Sequence, residues 1–210
     1  MKSSSIIKTF VFLAFSIIFT GASAQTGGIF EGSEDVGNPK LKGHFSYDPS
    51  TKAYTLSGGG VNIWFANDQF FYAWKKVTGN FSLTAKVDFE GKGVDAHRKT
   101  GIMIRESLAD ESKYADVVIH GDGLTSLQHR PGTGQQTLEV VGPRNGNYIT
   151  LERVGSKIRM RTATDTFPQE ATGEIELEFP RSFYVGFFIC SHDTDVLETV
   201  YFTNVEYKKL

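Results

Sequence analysis

The chain has 210 residues, with 22 Lys or Arg against 24 Asp or Glu, a formal charge of −2. At 40% hydrophobic and 22% charged residues it has ordinary globular composition, which excludes wholesale disorder. The absence of a cationic excess argues against nucleic acid as a partner, since no surplus of Lys and Arg is available to displace backbone counterions.

The first 24 residues read as a secretory leader. Lys2 and Lys8 give a positive start, Phe10 to Phe19 is an apolar run, and Ala22-Ser23-Ala24 is a small-x-small cleavage site before Gln25. The run falls short of the ~20 apolar residues needed for a span, so no membrane insertion is expected after cleavage. The expected product has 186 residues and a charge of −4, Lys2 and Lys8 leaving with the leader. It is placed in the periplasm or the medium. Its one cysteine, Cys190, permits no intrachain disulfide, and no cysteine follows the cleavage site to carry a lipid. Asn80-Phe81-Ser82 has the form of a glycosylation acceptor, without meaning in a bacterial chain.

Residues 25–39, Gly-rich with Glu31, Glu34 and Asp35, read as a loose lead-in, and residues 40–210 as one domain. Ala66 to Ala73 suits either a short helical turn or an aromatic strand. Phe81 to Phe89 alternates apolar and polar residues over nine positions, the period of a half-buried strand. Gly101 to Glu106, Tyr114 to His120 and Leu124 to Arg130 continue the pattern, the last two joined by Gly121-Asp122-Gly123, a hairpin turn. Tyr148 to Val154 and Lys157 to Thr164 flank Gly155-Ser156 in the same way. Glu174 to Phe179, Phe183 to Cys190 and Leu197 to Tyr207 complete the chain. Roughly a dozen strands at this spacing, with no 3.6-residue repeat, predict an all-β sandwich of two packed antiparallel sheets.

Strand parity assigns faces. If the strands at 101–106, 114–120 and 124–130 form a meander, Arg105, Asp116, His120, Gln128 and Arg130 share one face. Such donors and acceptors suit sugar hydroxyls, and Trp64, Tyr72 or Trp74 would stack on a pyranose. The competing expectation is an ordinary solvated sheet face with Trp and Tyr in the core. His97-Arg98-Lys99 either grips an anion such as a uronic acid or is a solvated loop. Asp116, His120 and Asp122 are the candidate acid or base residues of a catalytic alternative. Glu174, Glu176 and Glu178 line one strand face, close to the Glu-x-Asp-x-Glu run of laminarinase-type glucanases, but the middle residue differs and water-facing glutamates are the simpler expectation. No nucleophile elbow or zinc motif is present. No cofactor is expected, and a calcium loop stays open.

Several blocks together are familiar: Gly58 to Trp64, Asp68 to Lys75, Gly79 to Ala85, His97 to Arg105, His120 to Gln128 and Tyr184 to Asp193. In this order they resemble the concanavalin A-like lectin/glucanase domain associated with bacterial TolB-like biopolymer-transport proteins. The resemblance spans about Gly37 to Tyr207. It implies a jelly-roll sandwich, an envelope or secreted setting and glycan binding, and it carries no catalytic set. The expectation is therefore an exported carbohydrate-binding module without catalysis, recognising a poly- or oligosaccharide on the concave sheet face. Its candidate ligand-binding residues are Trp64, Trp74, His97, Arg98, Arg105, Asp116, His120, Gln128 and Arg130. A glycan hydrolase or lyase on the same fold, and a protein-interaction domain of the envelope, are the alternatives.

Overall fold

Strict alternation at Phe81–Phe89 buries Phe81, Leu83, Ala85 and Val87 while Ser82, Lys86 and Asp88 point away, and the same rule builds the rest of the chain. The computed structural model describes residues 27–210, so the expected leader and its cleavage site lie outside the described residues. Fourteen strands follow one another: β1 (Gly32–Val36), β2 (His44–Asp48), β3 (Ala53–Gly58), β4 (Phe70–Thr78), β5 (Phe81–Phe89), β6 (Lys99–Arg105) and β7 (Tyr114–His120), then β8 (Thr125–Arg130), β9 (Leu138–Val141), β10 (Tyr148–Val154), β11 (Lys157–Ala163), β12 (Gly173–Glu176), β13 (Ser182–Cys190) and β14 (Glu198–Lys209).

They form two seven-stranded sheets. One has the order β1-β4-β13-β6-β7-β8-β9, the other β12-β11-β10-β5-β14-β3-β2. Neighbouring strands pair antiparallel, including the sequential meander from β6 to β9. The two sheets close over a core of aliphatic and aromatic side chains. Phe187 of β13 and Phe202 of β14 stack across it, ring centroids 3.9 Å apart and planes 3° from parallel.

The tight turns follow their residues. In the β7–β8 turn, Gly123 takes a φ of 83° and the Asp122 carboxylate accepts from the Leu124 amide at 3.0 Å. Gly155 does the corresponding work between β10 and β11 with a φ of 63°.

One expectation is corrected here and one open choice is decided. The stretch 25–39 is not a loose lead-in throughout: Gly32–Val36 is the edge strand β1, paired along its length with β4, and Phe30 packs into the core. Phe70 to Ala73 is strand rather than helical turn.

The first sheet is also not solvated on its outer face, as an antiparallel sheet commonly is. Every residue of β6 and β7 is buried. The connection between β3 and β4, residues 59–69, crosses that face and seats Ile63 among Phe70, Tyr72, Met103, Val118 and Phe188. A second, smaller apolar layer results, and it decides which of the polar residues on the face remain reachable.

Candidate functional site

The meander brings the expected residues to one face in three cross-strand rows. Arg105, Tyr114 and Arg130 lie opposite one another, as do Met103, Asp116, Gln128 and Glu139, and Lys99 faces His120. Arg105, Asp116, His120, Gln128 and Arg130 do share the outer face of the first sheet.

The overlying connection splits them. Asp68, at its end, is fully buried and takes both arginines: Arg105 Nη1 donates to Oδ2 at 2.7 Å, and Arg130 donates to Oδ2 at 2.8 Å and to Oδ1 at 2.6 Å. The remaining guanidinium N–H groups go to the carbonyls of Ser107, Ala109, Ser112, Gln135 and Phe65. Arg105 and Arg130 are thus sealed from solvent and occupied. Their observed role is to fasten three loops over the sheet, and the expectation that they meet a ligand is corrected accordingly. Arg98 likewise turns inward, donating to Glu198 at 2.5 Å and to the carbonyls of Glu90 and Gly91. Trp74 packs edge-on against Tyr184, ring centroids 5.1 Å apart, outside the cleft described next.

Past the Asp68 clamp the face opens into a cleft of about 330 Å³, lined by Asn62, Trp64, His97, Lys99, His120, Leu124, Gln128, Glu139 and His192. That is near the lower end of small-molecule sites. Trp64 comes from the overlying connection and is held by its carbonyl, which accepts from the Thr137 amide at 3.1 Å. The Lys99 ammonium lies 6.0 Å from the centre of the Trp64 ring and donates to Asn62 Oδ1 at 2.8 Å. Across the floor, Gln128 Nε2 donates to Glu139 Oε1 at 3.0 Å. Three imidazoles gather at the strand ends, with His97 5.7 Å from His192 and 6.4 Å from His120 between ring centres.

Several buried polar atoms on this face have no hydrogen-bond partner: both carboxylate oxygens of Asp116, Gln128 Oε1, His120 Nδ1 and Ser126 Oγ. Buried polar groups are nearly always paired, so this concentration sets the cleft floor apart. Burial pushes the Asp116 carboxyl well above the usual range, the charge of Lys99 opposing it. Burial pushes the Lys99 ammonium down, opposed by Cys190, Asp116, Asp68 and Glu139. His120 falls to about 4 through burial and then the Lys99 charge, and His192 falls for the same two reasons. Cys190 is buried and rises to about 11 through desolvation, so it is no nucleophile at neutral pH. Among the described residues no group of three or more His, Cys, Asp or Glu is placed to hold a metal ion.

Of the expected residues, Trp64, His97, His120 and Gln128 line the cleft, with Asp116 buried in the same face behind them. Asp122 stands in the β7–β8 turn, where it pairs with Arg144 at 2.9 Å. Glu174 and Glu176 are exposed on the edge strand β12 of the other sheet, Glu174 bonded to Arg159 and Lys157. Asn62, Leu124, Glu139 and His192 also line the cleft and are not among the expected site residues, nor is Asp68; Lys99 is expected only as part of the His97-Arg98-Lys99 run. Parity within β6 puts Lys99 on the face of Arg105, so that residue had a signal. Glu139 had none until its register against Gln128 was known.

No family model matches the sequence, and no curated protein does. Solved structures do match in fold. A functionally unknown protein from Saccharomyces cerevisiae is 14% identical with a TM-score of 0.59, over 82% of this chain and 99% of that one. The carbohydrate-binding module CBM66 from Bacillus subtilis is 11% identical with a TM-score of 0.53, over 86% and 98%. A legume lectin-like domain from Entamoeba histolytica is 12% identical with a TM-score of 0.52, over 74% and 84%. The chain is therefore an antiparallel β-sandwich of the concanavalin A-like jelly-roll kind.

Proposed function

We propose that the protein is an exported carbohydrate-binding module that holds a poly- or oligosaccharide in the cleft beside Trp64. The observation that carries this reading is the juxtaposition of a half-buried indole with Lys99, Asn62, Gln128 and Glu139. An aromatic face takes the C–H side of a sugar ring, while flanking donors and acceptors take its hydroxyls. The fold likeness to a carbohydrate-binding module and a lectin-like domain supports the same class by analogy of architecture. The export reading rests on the leader-like first 24 residues, and kinship with the TolB-associated domains on the sequence blocks alone.

The test is titration of the purified protein against an oligosaccharide panel, read by the fluorescence of Trp64 in a Trp74→Phe background and by melting temperature. A ligand at 100 times its dissociation constant stabilises the native state by about 2.7 kcal/mol. Trp64→Ala is expected to abolish binding while leaving the fold intact, because the indole is partly exposed and the backbone bond to Thr137 does not need the side chain. A panel without a single binder overturns the reading in favour of a protein-interaction domain.

Glycan cleavage is the second reading. It is favoured by the Asp116 carboxyl, which burial holds towards its protonated form, the state of a general acid. It requires reducing-sugar release or a new unsaturated end, lost in Asp116→Asn. A panel that is bound but never turned over excludes it.

A further inference from the structure

The basic run His97-Arg98-Lys99 has the look of an anion grip, and its fate in the fold points elsewhere. Arg98 leaves the cleft for Glu198. Lys99 stays at the floor but is spoken for: Asn62 Oδ1 accepts from it at 2.8 Å, and the Glu139 carboxylate shares its cleft. Of the unpartnered buried atoms on the face, Gln128 Oε1 and His120 Nδ1 belong to side chains that line the cleft, and the amide oxygen can only accept. Acceptors call for a ligand that donates. Sugar hydroxyls donate, and both neutral sugars and uronates carry them; a uronate also brings a carboxylate, which cannot donate and would face Glu139 at the wall.

We infer that the cleft selects uncharged, hydroxyl-rich sugars and rejects uronates, with Glu139 at its wall opposing the attraction of Lys99 for an anion. This rests on the carbohydrate-binding reading and adds the class of sugar. Gln128 contacts the ligand from the floor, Glu139 from the wall, and Lys99 donates to it. The depressed imidazoles of His120 and His192 add no positive charge at neutral pH, consistent with the same balance.

The experiment is calorimetric titration at pH 7 with two probe sets. One holds neutral gluco-, manno- and fructo-oligosaccharides; the other holds oligogalacturonate and oligoalginate. The wild type is expected to bind within the neutral set only, with an affinity insensitive to added salt, since no net charge is exchanged. Glu139→Gln removes one negative charge from the wall of the cleft without touching the buried layer. It is expected to weaken the neutral ligand and to raise uronate affinity at least about tenfold, a change equivalent to about 1.4 kcal/mol. Uronate binding by the wild type as tight as that of neutral sugars overturns the inference and leaves the carbohydrate reading standing. So does a Glu139→Gln variant with unchanged preference. Binding of neither set by the wild type overturns the carbohydrate reading itself.

Discussion

Arg130 meets Asp68 in a two-pronged ion pair at 2.6 and 2.8 Å, with neither side chain reached by solvent. The same carboxylate also holds Arg105, so one acid neutralises half of two buried guanidiniums, and loop carbonyls complete the coordination. Desolvating such charges is expensive, and removing one partner leaves the others uncompensated. Asp68→Asn is therefore expected to lower stability by about 3–5 kcal/mol. Because Asp68 ends the connection that carries Trp64, it is also expected to weaken ligand binding in whatever fraction stays folded. Urea denaturation followed by fluorescence checks the first effect. A loss under about 1 kcal/mol would mean that the clamp is not what holds the loop.

Stability is expected to fall with acid over a defined window. The His120 imidazole titrates at about 4 in the folded protein instead of its ordinary 6.5. Between these values the unfolded chain binds a proton that the folded chain refuses, so stability rises with pH there. The contribution is complete above pH 6.5, declines as pH falls towards about 4, and changes no further below that. Its size is on the order of 3 kcal/mol. His129 and His192, also depressed by burial, act with the same sign, while Asp116, whose carboxyl burial raises, opposes them over the same range. The check is the urea midpoint from pH 7 to pH 4, where the stability of the wild type relative to His120→Asn should fall as the pH falls.

The sandwich was legible because alternation is a local signal: Phe81–Phe89 and Tyr148–Val154 are bounded in the structure where their patterns end. Parity likewise put Arg105, Asp116, His120, Gln128 and Arg130 on one face. What parity cannot carry is what lies above that face. The segment 59–69 has no period and reaches the sheet through long-range contacts, Asp68 to Arg130 across 62 positions and Ile63 into a layer drawn from five strands. Those contacts turn two of the expected ligand-binding arginines into fasteners and leave Asn62, His97, Glu139 and His192 as the more exposed polar groups of the cleft, with Lys99, His120 and Gln128 at its floor. The edge strand β1 was missed for a related reason. Gly32-Ser-Glu-Asp-Val36 has no apolar alternation and is held by its pairing with β4.

Gly186, in the middle of β13, sits where backbones crowd. A Cβ there would lie 1.8 Å from the Ala73 carbonyl oxygen of β4, a rigid neighbour that cannot step aside. Gly101 on β6 has the same relation to the Val117 carbonyl of β7, at 1.9 Å. Gly186→Ala is expected to cost at least about 3 kcal/mol, the upper range for overpacking a core. Gly155→Ala meets no atom within 4 Å, although its positive φ still disfavours a side chain. Thermal melts of the two variants side by side separate steric from conformational cost, and equal losses would contradict the close approach.

The carboxylate run Glu174-Ile-Glu-Leu-Glu178 tests whether a glucanase-like spacing can stand without a site. Glu174 and Glu176 are exposed on the edge of the second sheet, not beside the cleft, while Ile175 packs against the core and Leu177 is buried within it. Glu174 is bonded to Arg159 at 2.5 Å and to Lys157 at 3.2 Å, and these partners hold its carboxyl below the usual range, the wrong direction for a general acid at neutral pH. Glu174→Gln and Glu176→Gln are therefore expected to leave oligosaccharide binding unchanged, and stability unchanged at moderate salt, where exposed ion pairs are screened. Leu177→Ala, by contrast, removes a core side chain and is expected to cost about 2–5 kcal/mol. The measurement is a parallel set of binding titrations and melts. Loss of a glycan signal in either glutamine variant would move the site to the opposite sheet and undo the assignment to the Trp64 cleft.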